Sequence, residues 1–182
     1  MKQLLRVLPF LLVASSAAFG QKGYAVALGG GVAIPVGKLA DAQNTGSSAM
    51  IALALGAAES PIGVRLDAIY NDLVRGADVV PAQGSRVSTS NLRVMGVLAN
   101  LVFAFPGTSA KPYIFAGGGL YNSKVEPNAK SQNNFGFNAG VGATFGFGPF
   151  ATFLESRYHT ISRNAAKGGV FQFVPITFGL MF

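Results

Sequence analysis

The sequence predicts an all-β fold, an eight-stranded antiparallel up-and-down transmembrane β-barrel preceded by a cleaved signal peptide. Three observations carry that expectation. Two-residue alternation recurs after residue 20 in segments near the roughly 9–11 residues that cross a bilayer at a tilt. The polarity of the two strand faces is the reverse of a water-soluble barrel's. The final run, Val174-Pro175-Ile176-Thr177-Phe178-Gly179-Leu180-Met181-Phe182, sets large apolar residues at 174, 176, 178, 180 and 182. Spacing of two is strand spacing, because successive side chains point to opposite faces. Lipid covers such a stripe, and pairing with the first strand covers the hydrogen-bonding edge.

Composition bounds the class. The 182 residues are 50% hydrophobic and only 12% charged, low charge for a soluble domain. No apolar run approaches the roughly 20 residues of a membrane helix. Lys2 and Arg6 precede the uncharged stretch from Val7 to Gly20, which ends in Ala18-Phe19-Gly20. A basic start, a short apolar core and small residues at the cut read as a secretory signal peptide over 1–20, with cleavage after Gly20 or Ala18. Residues 21–182 then form the barrel domain. There is no cysteine, which excludes a disulfide, a lipidated N-terminal Cys and a Cys-bearing metal site. Removing Lys2 and Arg6 lowers the formal charge from +7 to +5.

The strands are expected at about 24–34, 48–58, 63–73, 91–104, 112–122, 134–146, 150–161 and 170–182. Connections 35–47, 74–90, 123–133 and 162–169 are long and polar; 59–62, 105–111 and 147–149 are shorter. Long outer loops and short periplasmic turns are the asymmetry of bacterial barrels. Eight strands leave an interior filled by side chains, not an open channel.

The sixth segment shows the faces most clearly. Phe135, Phe137, Ala139, Val141, Ala143 and Phe145 share one face; Asn134, Gly136, Asn138, Gly140, Gly142, Thr144 and Gly146 share the other. The first segment opposes Tyr24, Val26, Leu28, Val32 and Ile34 to Ala25, Ala27, Gly29, Gly31 and Ala33. The third opposes Val64, Leu66, Ala68 and Tyr70 to Arg65, Asp67 and Asn71, and the seventh opposes Leu154 and Tyr158 to Glu155, Arg157 and His159. Large residues are expected outside so narrow a barrel and small or charged ones within. The five tyrosines, Tyr24, Tyr70, Tyr113, Tyr121 and Tyr158, are all assigned outward, as an aromatic girdle near the strand ends. Two segments are less regular. Met50 to Ala57 is apolar on both faces. Arg93 and Asn100 have opposite parity, which calls for a bulge or for Arg93 above the lipid at the outer rim.

These features resemble the OmpA/OmpX-like eight-stranded family of bacterial outer-membrane β-barrels. The signal peptide carries the likeness, with Gly30-Gly31-Val32-Ala33-Ile34-Pro35-Val36-Gly37-Lys38, with Lys111-Pro112-Tyr113-Ile114-Phe115-Ala116-Gly117-Gly118-Gly119-Leu120-Tyr121, and with the terminal Gly179-Leu180-Met181-Phe182. The resemblance implies export through the periplasm and integral residence in the outer membrane. It also implies that Phe178, Leu180 and Phe182 are similar to the signal read by the barrel-assembly machinery. It says little about activity, since members range from anchors and adhesins to lipid-modifying enzymes.

The candidate chemistry is sparse. Arg65, Asp67, Glu155 and Arg157 are expected in the lumen, where buried charges need partners and two acids balance two bases. An internal ion-pair network that sets register is the expected role; a gate or proton path is the functional alternative. His159 is the single histidine. Two positions along stands Ile161, Ser162 lies on the other face, and Glu155 is about 13 Å away along the strand. That spacing does not match a lipid A deacylase arrangement. No catalytic residue, cofactor or metal site is expected. The glycine runs at 29–31 and 117–119 precede no helix and no Gly-Lys-Ser/Thr, so they are small strand residues and not phosphate loops.

Lys38, Arg75, Arg86, Lys124, Lys130, Arg163 and Lys167 outnumber Asp41, Asp78 and Glu126 in the long connections. At the outer rim these cations either pair with lipopolysaccharide phosphates or are ordinary solvated loop charge. Outer-membrane lipids, lipopolysaccharide and the assembly machinery are the expected partners, with no nucleic acid, and a monomer is expected. The leading functional reading is a non-enzymatic barrel whose extracellular loops carry a structural or surface-interaction role. A narrow pore for small solutes, a lipid A-modifying enzyme and a soluble lipocalin-like carrier are the alternatives.

Overall fold

Alternating side chains and abundant small residues favour strands over helices here, and strands need partners for every backbone group. In the computed structural model those partners are found by closing the sheet on itself. The structure describes residues 23–56, 60–75, 91–125, 130–147, 150–163 and 169–182. The expected signal peptide lies outside them. Eight strands follow in order: β1 (Tyr24–Val36), β2 (Gln43–Gly56), β3 (Ile62–Arg75), β4 (Leu92–Ala104), β5 (Ala110–Val125), β6 (Gln132–Phe147), β7 (Phe150–Ile161) and β8 (Phe171–Met181). Each pairs antiparallel with its sequence neighbour, and β1 pairs with β8 from Ala27↔Met181 to Val36↔Gln172, so the barrel is closed. Two backbone hydrogen bonds between Val26 and Phe182, of 3.0 and 2.8 Å, extend that seam.

Strands β1, β2, β3, β5 and β6 run longer than expected at the outer end, and the first outer connection is correspondingly short. Residues 35–47 were expected as a loop. Only 37–42 lie between β1 and β2, and a 3-10 turn over Gly37–Leu39 occupies half of that. Gly37 takes φ 58°, a left-handed conformation that suits glycine. The polar run Gln43-Asn44-Thr45-Gly46-Ser47 joins β2, with a bulge against β3 between Asn44 and Ser47. A polar sequence stays in the sheet there because cross-strand hydrogen bonds hold it. Gly46 allows this, since a Cβ would collide with the Asp72 carbonyl.

In the less regular second segment, Met50 and Ala52 face in and are buried while Ile51, Leu53 and Leu55 are exposed. In β4 no bulge is present. Its register against β3 is unbroken from Phe103 to Leu92, so Asn100 faces in and Arg93 faces out near the outer end.

Strand β5 corrects two expectations. Tyr113 and Tyr121 are not part of an outer girdle; they point into the lumen and are buried, while Tyr24, Tyr70 and Tyr158 are exposed. Large residues do fit inside: Phe115, Phe153 and Phe173 are buried there as well. The reason is local volume. A Cβ at Gly136 would lie 2.8 Å from the Tyr121 ring, one at Gly140 would strike Phe115, and one at Gly142 would strike Tyr113. The inward glycines of β6 make room for the inward aromatics of β5.

Candidate functional site

Burial of ionised groups in a narrow lumen is costly unless each charge meets an opposite one and its donors meet acceptors. Arg65 and Asp67 come from β3, Glu155 and Arg157 from β7, strands on opposite sides of the barrel. All four are buried. Arg65 Nε lies 3.0 Å from Asp67 Oδ1, and its Nη1 lies 2.8 Å from Glu155 Oε2. Arg157 Nη1 lies 2.7 Å from Asp67 Oδ2, and its Nη2 lies 2.7 Å from Glu155 Oε1. Each guanidinium therefore touches both carboxylates, and the four form a closed ring across the lumen. The two contacts to Asp67 are ion pairs without hydrogen-bond geometry.

Neutral groups complete the ring. The Tyr113 hydroxyl donates to Glu155 Oε2 at 2.9 Å, and Asn100 Nδ2 donates to Asp67 Oδ2 at 2.8 Å. The Phe115 ring receives both guanidiniums, with Arg65 Cζ at 4.4 Å and Arg157 Cζ at 4.7 Å from its centroid. The sequence reading missed Tyr113, Phe115 and Asn100 as members of this set. Asn100 was legible as the polar residue of its strand. Tyr113 and Phe115 were not, because the glycines that admit them lie on another strand.

His159 is fully buried. Its Nδ1 shares a 2.8 Å hydrogen bond with the Tyr121 hydroxyl, and its ring stacks on Phe173 at 4.7 Å and 10°. Glu155, the acid on the same face, is engaged by both arginines and Tyr113. The described residues hold no group of three or more His, Cys, Asp or Glu side chains able to ligate a metal.

Of the expected rim cations, Lys38 sits exposed in the 3-10 turn and Arg75 ends β3. Lys124 lies near the end of β5, and Lys130 is exposed ahead of β6. Arg163 follows β7 with its Cζ 4.0 Å over the Phe171 ring. All five belong to the same end of the barrel. Arg86 and Lys167 lie outside the described residues.

The exterior decides the solvent. Leu28, Ile51, Leu66, Val97, Leu120, Phe137, Leu154 and Phe178, one from each strand, are all exposed large hydrophobics. Phe178, Leu180 and Phe182 form the outward stripe of the closing seam. A closed ladder with an apolar outside and an ionic inside is the way a sheet crosses a bilayer. The class is therefore the integral eight-stranded β-barrel, and its place is the bacterial outer membrane.

No family model matches the chain, and no curated protein matches its sequence. Solved structures do. The barrel is similar to neisserial surface protein A, with a TM-score of 0.63 and 16% identity over 88% of this chain and 96% of that one. It is similar to Ail, the attachment invasion locus protein of Yersinia pestis, with a TM-score of 0.51 and 15% identity over 88% and 99%. The N-terminal barrel domain of Pseudomonas aeruginosa OprF gives a TM-score of 0.50 and 14% identity over 88% and 98%. At such identities the likeness is one of fold.

Proposed function

We propose that this chain is a non-enzymatic outer-membrane barrel, a rigid and filled scaffold whose outer connections make surface contacts. The observation that carries this reading is the closed ring of Arg65, Asp67, Glu155 and Arg157, seated on Phe115 across the middle of the lumen. A lumen filled in this way favours a scaffold over a solute path. The buried His159, packed between Tyr121 and Phe173, is poorly placed to meet a lipid substrate, which supports a non-enzymatic role. Function then belongs to the loops that the scaffold displays.

The rim cations Lys38, Arg75, Lys124, Lys130 and Arg163 suit the phosphates of lipopolysaccharide. The alternating Phe178, Leu180 and Phe182 suit recognition by the barrel-assembly machinery. The chain acts as a monomer in this reading, since the closed ladder leaves no strand edge to pair.

The test is to replace the connections at 76–90 and 126–131 with short Gly-Asn turns. The expected result is a heat-modifiable barrel that still inserts but no longer confers binding of cells to host or surface ligands. A planar bilayer containing the intact protein should carry no current above background. Steady single-channel conductance would overturn the filled-scaffold reading.

A further inference from the structure

Charge is expensive on a lipid-facing strand surface and tolerated only near the interfaces. Among the described strand residues, outward positions carry charge at Asp72, Arg93 and Lys124 alone. These three come from different strands and yet are direct register neighbours. Asp72 stands opposite Arg93, and Arg93 stands opposite Lys124. They sit near the outer ends of β3, β4 and β5, half-buried among their neighbours. Just beneath them, Asn122 donates to Asn133 Oδ1 at 2.7 Å on the same outward face of β5 and β6. Below that level the surface turns apolar, with Met95, Val97, Leu120 and Phe135 exposed. The outward faces of β7, β8, β1 and β2 carry no charge in their described residues.

We propose that Arg93 and Lys124 form a lipid-facing seat for a phosphate group of an outer-leaflet glycolipid. The proposal rests on the outer-membrane reading and deepens it by naming one side of the barrel. Its argument is charge, depth and chemistry. Among the described residues of this outward face, two cations stand with one acid. They lie at the level where apolar surface gives way to polar groups, which is where a phosphorylated headgroup sits above its acyl chains. Arg offers a fork that matches phosphate oxygens, and Lys adds a point charge. The exposed Val97 and Leu120, one outward position below Met95 and Asn122, supply a surface for the acyl chains of the same molecule. A soluble anion satisfies the charge but not that apolar surface, so the occupant is a lipid.

The experiment uses the full barrel refolded into phosphatidylcholine nanodiscs, with chelator present. Lipid A carrying both phosphates is titrated against the same lipid with its phosphates removed, and retention is read by native mass spectrometry. The wild-type protein should retain the phosphorylated form at least about tenfold better, and Arg93→Gln/Lys124→Gln should abolish that preference. Lys111→Gln, an exposed cation at the opposite end of β5, should keep it, and millimolar inorganic phosphate should not compete. Equal retention of both lipids, or an undiminished preference in the double variant, would overturn the seat. So would a preference lost equally in the Lys111→Gln protein, which makes the effect one of overall charge, or one removed by inorganic phosphate. Should the double variant not fold, Lys124→Gln alone carries the test and should lower the preference about threefold, with no change overturning the proposal. A wild-type chain that gives no heat-modifiable band in the nanodisc would instead refute the barrel reading itself.

Discussion

Glu155 is the most heavily engaged side chain in the lumen. Its two oxygens meet Arg65 Nη1, Tyr113 Oη, and Arg157 Nε and Nη2 at 2.7–3.0 Å. Removing one partner from a buried ion pair leaves charge uncompensated, at a cost of about 3–5 kcal/mol. Glu155→Gln should therefore destabilise the folded barrel by that order, read by urea unfolding in lipid vesicles. The companion Arg65→Gln/Glu155→Gln should recover part of the loss, because it removes one charge of each sign. A Glu155→Gln protein within about 0.5 kcal/mol of wild type would show that the ring is not what holds β3 against β7. His159→Ala tests the other luminal contact. Deleting a ring stacked on Phe173 opens a cavity, so about 2–4 kcal/mol of stability should go, with the lipid composition of producing cells unchanged. A change in lipid A acylation would point to chemistry at this position.

At the level of strands, β5 and β6 fit as a matched pair. The aromatics Tyr113, Phe115 and Tyr121 rest over Gly142, Gly140 and Gly136 respectively. Gly140→Val would drive two methyl groups into the Phe115 ring, and overpacking of that kind costs about 1–3 kcal/mol. The expected reading is a lower urea midpoint, with relief in Gly140→Val/Phe115→Ala. Strand β8 makes a different kind of contribution. It closes the seam to β1 through Val26 and Phe182 and offers Phe178, Leu180 and Phe182 outward. Phe178→Ser/Leu180→Ser/Phe182→Ser should lower the yield of assembled barrel in cells, seen as loss of the heat-modifiable gel band. Normal assembly would remove the terminal stripe as a targeting element.

For the molecule as a whole, the arrangement is an inversion of a soluble barrel. The circular dichroism spectrum in detergent should be β-rich, and the protein should need detergent for extraction. Much of this was legible in the primary structure because two-residue alternation has a direct geometric meaning. In β6, from Asn134 to Gly146, every odd position is apolar and every even position polar or glycine, and the register keeps that alternation. In β5 the pattern gave no such guidance. Gly117-Gly118-Gly119 interrupts the alternation, and tyrosine suits both an interfacial girdle and a hydrogen-bonded interior. The polar run 43–47 reads as a loop for a similar reason, since residues above the lipid need no apolar face to remain in a strand.

Local sequence alone determined the strand period, the apolar outward stripe and the inward placement of Arg65, Asp67, Glu155 and Arg157, because those follow from covalent spacing along one strand. Tertiary structure alone decided that residues 90 positions apart, Arg65 and Glu155, share one ring. It also turned Tyr113 and Tyr121 inward, and it set Arg93 between Asp72 and Lys124 on the outer surface. Those outcomes depend on barrel closure and on the room a neighbouring strand leaves, and neither is encoded within the strand that contains the residue.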